Sequence, residues 1–443
     1  MIGSPSFQVQ TTNAVGNNQI NEALYPLGTT DFNIASGGML TYGGFMDAAH
    51  GDLLKDGGGT LVFGGIGGVP GLILNAGTLV LNRDIVYPPL LGGDGMMTLN
   101  GGTLQSAAAP GTFVTLAENV TVAGPASISG NGNFEFTGTW QIQTGQTLTV
   151  NNTQTPNLAL LDGDLEFAGI VFGLGSVNKM GTGDIGLSGT NTYNGGTTLQ
   201  GGVLDVNSDN ALGTGKLTLD GGTLVRSLLQ AETLANPFEV DANTTVEDFS
   251  VNYGATSLAL TGPGTLSTGT TLTVVVGATL STDSAAVTVS GSLSGPGGLA
   301  VNAAGYPSPL THTVTLNGTA ANTYTGKTTV NSGTLFLSKP ANVTAISGPV
   351  VIGTGTDLGL LNPIVELQAD NQIHRLRPIT VNAFGELKLA GHNQQTGSVS
   401  GSGKVVTGDP PLFTVGFDNS STTFDGVISG PGTVDKVGTG TWT

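Results

Sequence analysis

The chain contains no cysteine in its 443 residues. That excludes a disulfide framework, a thiolate-ligated zinc site and a thiol nucleophile. Charge is scarce as well: 9% of residues are Asp, Glu, Lys or Arg, against roughly 25% in ordinary soluble domains. Only 12 residues are basic against 30 acidic, a formal net charge of −18. Such a surface repels phosphate, so neither nucleic acid nor anionic lipid is an expected partner. No apolar run reaches the roughly 18 residues of a membrane span, and no membrane insertion of this segment is expected. The first residues, Met1-Ile2-Gly3-Ser4-Pro5, lack the basic and apolar regions of a secretory signal. Helical periodicity is missing too. Its nearest candidate, Ser227 to Ala235, reads as a short helix or a loop.

What is abundant is glycine, 73 residues, with 20 prolines beside it. Together they make about a fifth of the chain, near the composition of low-complexity segments. Disorder is nevertheless excluded, because 38% of residues are hydrophobic and few are charged, the reverse of a disordered chain.

The apolar residues are also periodic, and the period belongs to a repeat. One unit is a polar residue, a small residue, Gly, then Thr or Val, then Leu. It reads Asn75-Ala76-Gly77-Thr78-Leu79 and Asn100-Gly101-Gly102-Thr103-Leu104. It returns at Gln200 to Leu204, Asp220 to Leu224 and Asn331 to Leu335. Gly77 and Gly102 are 25 residues apart, and Gly202 and Gly222 are 20 apart, about one coil of a solenoid. Glycine takes a positive φ at little cost, so it turns the chain between strands. The Asn or Asp before it is placed to form a ladder of stacked amides. A second unit, Gly-x-Gly leading to an apolar residue, begins at Gly130, Gly262, Gly295, Gly401 and Gly430. Glycine loops cradle phosphate where they join a strand to a helix. Short alternating strands follow here, so these are read as turns.

Between turns the pattern has period two, the signature of strands. Leu310, His312, Val314 and Leu316 share one face, while Thr311, Thr313 and Thr315 share the other. The expected fold is all-β: a right-handed parallel β-helix (β-solenoid) with three short strands per coil. At roughly 22 residues per coil it makes about 18 coils, a rod of about 85 Å. Residues 1–50 lack the glycine cadence and are read as an N-terminal cap or the remnant of a preceding segment. Residues 51–443 are read as the parallel β-helix, expected to be cut from a longer protein.

Two stretches combine the units in a fixed order. Lys179-Met180-Gly181-Thr182-Gly183 leads to Asn191-Thr192-Tyr193-Asn194-Gly195-Gly196-Thr197-Thr198 and then Gly202-Val203-Leu204. Asn322-Thr323-Tyr324-Thr325-Gly326-Lys327-Thr328-Thr329 leads to Gly333-Thr334-Leu335. Both resemble the autotransporter-associated β-strand repeat of bacterial surface passenger proteins. Lys55 to Leu81 resembles a degenerate copy without Asn-Thr-Tyr, and Asp435 to Trp442 the opening of another. The resemblance implies a parallel β-helix, secreted or held on the surface of a Gram-negative-type bacterium. It implies no catalytic residue and no cofactor.

Enzymatic parallel β-helices need clustered carboxylates, or carboxylates with calcium and a base, on adjacent coils. The densest cluster here is Glu366, Asp370, His374, Arg375 and Arg377. Asp370 or His374 would serve as acid or base and the arginines would hold an acidic sugar; the plainer reading is a polar loop before Pro378. Asp162, Asp164 and Glu166 alternate with apolar residues on one strand face. They would suit calcium, or simply face solvent. His312 reads as a core histidine, and His50 and His392 lie beside glycine in loops. Tyr193 and Tyr324 would stack on sugars, but their identical place in the repeat favours packing at a corner. Catalytic and metal residues are therefore expected to be none, and binding residues stay unassigned. The expected function is structural: a stalk, fibre or adhesive passenger segment. Its partners would be other copies, other surface proteins or carbohydrate. The alternatives are a β-helix that binds or cleaves carbohydrate and an end-to-end filament subunit.

Overall fold

The computed structural model describes residues 7–11, 17–25, 28–46, 51–64, 71–84, 96–109, 112–153, 165–226, 231–250, 255–278, 284–305, 312–357, 359–409 and 411–443. The glycines of the first repeat unit do what the pattern requires. Gly77, Gly102, Gly202, Gly222 and Gly333 all have positive φ, between 67° and 75°. Each turn starts a strand whose second residue points inward: Leu79, Leu104, Leu204, Leu224 and Leu335 are each 0% exposed. The preceding Thr or Val is half-buried on the outer face.

Strand pairing is parallel throughout the described residues, so the chain climbs one step per coil instead of folding back. One complete coil runs through Phe113–Leu116, Asn119–Val122 and Ala126–Gly130. The next strand, Asn133–Phe136, lands on the first with Phe113 opposite Asn133. That is three strands per coil, as expected. The result is a β-solenoid of about 16 turns.

The chain divides into two compact units, Met1–Lys216 and Leu217–Thr443. In the first, one parallel sheet runs from Phe7–Thr11 to Val171–Gly173 and a second from Asn17–Ile20 to Thr197–Leu199. A third runs from Phe113–Leu116 to Val203–Val206. Its interior holds Phe134, Phe136, Trp140 and Phe167, with the Phe136 and Phe167 rings 4.8 Å apart. In the second unit, parallel sheets run from Leu217–Leu219 to Leu293–Ser294, from Thr223–Arg226 to Val399–Gly401 and from Ala231–Leu234 to Val427–Ser429. A short one joins Gln394–Thr396, Leu412–Val415 and Thr433–Lys436.

The parallel stacking includes the described part of residues 1–50, where Thr30–Ile34 pairs with Leu53–Asp56. The helix candidate at Ser227 to Ala235 is corrected. Residues 227–230 lie outside the described residues, and Ala231–Leu234 is a strand paired with Ala255–Leu260. Leu, Gln, Ala and Glu favour helix locally, but Glu232 and Leu234 are buried while Ala231 and Thr233 are exposed. The ladder on the next coil overrides propensity. Among the described residues the helical content is one 3-10 turn, Gly359–Leu361, and no helix is long and apolar enough to cross a membrane.

Of the run from Leu310 to Leu316, Leu310 and Thr311 lie outside the described residues. His312, Val314 and Leu316 are buried as the alternation requires. Thr313 departs from it, 8% exposed in a column between Ala286 and Thr334.

Candidate functional site

The Asn-Thr-Tyr motif occupies coil segments with no regular strand, and its side chains restore the missing ladder. Asn191 Oδ1 accepts from Val171 N–H at 2.7 Å, and its Nδ2 donates to the Ala211 carbonyl at 2.6 Å. Asn322 repeats this, accepting from Leu293 N–H at 2.9 Å and donating to the Ala345 carbonyl at 2.8 Å. A side-chain amide has the donor and acceptor of a peptide group, so it stands in for one and ties three successive coils together. Two residues on, Tyr193 and Tyr324 are fully buried. They face the core rather than a sugar. Burial pushes both phenols well above their ordinary pKa, against a smaller opposing effect of hydrogen bonds with Thr197 and Thr328. Gly195 and Gly326 follow where the backbone of the previous coil is too close for a side chain: an added Cβ would lie 2.4 Å from Gly175 O and 2.1 Å from Gly297 O.

Lys55 and Lys179, which open two of the repeats, are buried as well. Lys55 Nζ donates to the carbonyls of Asp56, Gly57 and, one coil on, Ala76, at 2.7 to 3.0 Å. Lys179 Nζ donates to Met180, Gly181 and, one coil on, Gly201. Burial pulls both ammonium groups down to about 8, with nearby Asp56 and Asp184 opposing the shift. The polar turn residues form the expected ladder: Asn75 Nδ2 reaches Asp56 Oδ1, and Asn100 Nδ2 reaches Asn75 Oδ1, each at 2.8 Å.

The charged groups of the later coils have partners of their own. Asp370 accepts from Asn393 N–H at 2.9 Å and lies 3.5 Å from Nδ1 of His392. Glu366 accepts from Gln368 Nε2 at 2.8 Å and faces Lys388 at 3.9 Å. Arg377 Nε donates to the Ser347 carbonyl, and the Arg375 guanidinium sits 5.8 Å from the Phe417 ring centre. His374 accepts from Leu376 N–H at 3.4 Å; burial, then Arg377 and Arg375, lower its pKa. Each group serves its own turn or a neighbouring coil.

Asp162, Asp164 and His50 lie outside the described residues. Glu166 is buried instead of solvated, 7% exposed, with the Ser188 hydroxyl donating to its Oε1. Among the described residues, no three His, Asp or Glu side chains come together in a way that would hold a metal ion.

Over 268 residues, 60% of its length, the chain is 28% identical to a protein named adhesin BmaC autotransporter, from Brucella suis biovar 1 (strain 1330). The chain spans only 6% of that relative. The parallel β-solenoid is consistent with the autotransporter passenger repeat that the sequence resembles. Neither a family model nor a solved structure matches the chain.

Two residues of this chemistry carry no motif in the sequence. Gln394 Oε1 accepts from Ile373 N–H at 3.0 Å and its Nε2 donates to Ile373 O at 2.8 Å. Gln372 Oε1 accepts from Lys339 N–H at 2.9 Å. Both are 0% exposed and join coils as the asparagines do. Lys55 and Lys179 share a Lys-x-Gly-x-Gly spacing, but the spacing alone does not bury a lysine, since Lys436 has it and is exposed.

Proposed function

We propose that this chain is a segment of an exported bacterial surface passenger. It is a non-catalytic β-solenoid that supplies length and display surface for adhesion. The observation that carries the reading is the repeat itself. Its Asn, Tyr and Lys side chains, the polar residues most suited to a site, are buried and joined to backbone or side-chain groups of their own or neighbouring coils. A named adhesin autotransporter shares 28% identity over 268 residues. Residues 1–50 are proposed to act as the cap, or the remnant of a preceding segment, in the form of coils.

Antibodies to the chain, applied to intact cells of the Gram-negative-type bacterium that encodes it, should label them, and external protease should remove the label. Labelling only after lysis would refute surface display. Purified protein incubated with pectin, alginate or a glycosaminoglycan should release no product. Reproducible cleavage abolished by Asp370→Ala or His374→Ala would refute the non-catalytic reading.

A further inference from the structure

The strands of one sheet of the first unit present no charged side chain outward. The nine strands from Asn17–Ile20 to Thr197–Leu199 stack in one sheet and contain a single charged residue, Lys179, whose side chain points inward. The acids of the unit's strands lie in its other two sheets, among them Asp31, Asp56, Glu135 and Asp205. In a chain of net charge −18, an uncharged strip several coils long is a specific feature.

The strip is built of aligned hydrogen-bonding groups. Thr60, Thr78, Thr103, Ser127, Thr149 and Asn178 occupy one register column, half-buried and facing out. Thr103 and Ser127 share a hydrogen bond of 3.0 Å, and beside them Gln105 donates to Ser129 at 3.1 Å. A hydroxyl has one donor and two acceptor positions, so such a pair still has capacity directed at a ligand. The groups repeat at the ~4.8 Å strand spacing, close to the length of one sugar ring in an extended chain. At the edge of the strip, just past Tyr42, Tyr25 and Phe45 stand 67% and 42% exposed. Their rings are 5.9 Å apart on adjacent coils. Exposed aromatic faces carry negative π density that attracts the C–H faces of a sugar ring.

We propose that this face binds a neutral polysaccharide chain, with Tyr25 and Phe45 as its stacking platform. Charge selects the ligand class: a polyanion meets the repulsion of the whole molecule, and a polycation finds no carboxylate on the strands of the strip, Glu22 beside the aromatic pair being the nearest in the described chain. The proposal rests on the reading of the protein as an adhesive surface solenoid and names what adheres.

The test is native electrophoresis of the full chain through gels containing hydroxyethylcellulose, galactomannan or xylan, with polygalacturonate as the polyanionic comparison. Retardation is expected in at least one neutral gel and not in polygalacturonate. Tyr25→Ala with Phe45→Ala, and separately Thr103→Asp with Ser127→Asp, should each weaken it about tenfold. Thr121→Asp, on the outward face of a different sheet, should leave it unchanged. Should the acidic pair fail to fold, the aromatic pair decides. No retardation in any neutral gel, retardation in polygalacturonate alone, or wild-type binding by the aromatic pair would overturn the proposal. So would a concentration-dependent dimer broken by Thr103→Asp without glycan binding, which would give the face to a second copy. Surface labelling of cells reads display independently, so cells that label normally while the gels show no binding would reject this ligand and leave the display reading standing.

Discussion

The phenol of Tyr193 meets the Thr197 hydroxyl at 2.6 Å, and Tyr324 meets Thr328 at the same 2.6 Å, four residues along the chain in both repeats. Both tyrosines are fully buried, and desolvation raises their pKa above the ordinary 10.0. Below pH 10 each is neutral in the folded and unfolded chain alike, and its packing contribution is intact. As pH rises further the unfolded chain loses the proton first, so stability falls, by up to ~1.4 kcal/mol per pH unit for each tyrosine. Chemical denaturation between pH 9 and 11.5 should show this decline. Tyr193→Phe with Tyr324→Phe should flatten it while costing about 1 kcal/mol per site at pH 7. An unchanged alkaline slope in the double variant would mean that other groups set it.

Asn322→Ala removes two hydrogen bonds and leaves the Leu293 N–H and the Ala345 carbonyl without their side-chain partner. Each buried group so stranded costs about 1–3 kcal/mol. Stability measured in urea should fall accordingly, and hydrogen exchange at the Leu293 amide should quicken. Unaltered exchange there would disprove the role of Asn322 as a substitute peptide.

Leu224 is 0% exposed and Thr223, its neighbour, is half-buried on the outer face. Leu224→Asp should cost several kcal/mol, because it buries a charge among apolar neighbours. Thr223→Asp should cost only tenths of a kcal/mol. Limited proteolysis should therefore reveal new cleavage near residue 224 in the first variant alone, spreading to adjacent coils. Equal sensitivity of the two variants would contradict the inward and outward assignment.

Five tight turns share one geometry, closed by Gly38 N–H to Ala35, Gln146 to Gln143, Thr270 to Ser267, Val343 to Pro340 and Gly385 to Asn382. Their third residues have φ of 78°, 75°, 77°, 65° and 63°, and they are Gly37, Gly145, Gly269, Asn342 and Phe384. A left-handed conformation costs a non-glycine residue roughly 1–2 kcal/mol. Phe384 is 49% exposed, so its ring gains little from burial. Phe384→Gly should raise the melting temperature, with a gain of about 1 kcal/mol. A loss of stability would show that the ring is held by contacts worth more than the strain.

Much of this architecture can be read from residue order. The turns at Gly77, Gly102, Gly202, Gly222 and Gly333 follow from the need for positive φ. The inward leucines follow from period two, and the Asn75–Asn100 ladder follows from amides placed at equivalent turns. Tyr193 and Tyr324 were placed in packing by their identical repeat positions. What eluded the pattern is burial of polar groups. Lys55 and Lys179 look like surface charges until the carbonyls of two coils converge on them, and that convergence depends on register across 21 and 22 residues. Gln372 and Gln394 are hidden for the same reason. The strand Ala231–Leu234 is masked in the sequence because Ala231, Glu232 and Leu234 are good helix formers and the partner strand is not displayed there.

Coil length is uneven, and the ladder tolerates it. Leu165 lies on Phe134, 31 residues along the chain, whereas Val203 lies on Asp184 only 19 residues along. Register is set by the strands that meet, so the length of the chain between them is free to vary at the corners. In-frame insertions or deletions at a corner, even of a length unrelated to the repeat, leave every inward side chain where it was. Removing one residue within a strand does the opposite, since it turns the rest of that strand inside out. Genetic drift in such a protein is therefore channelled into its corners.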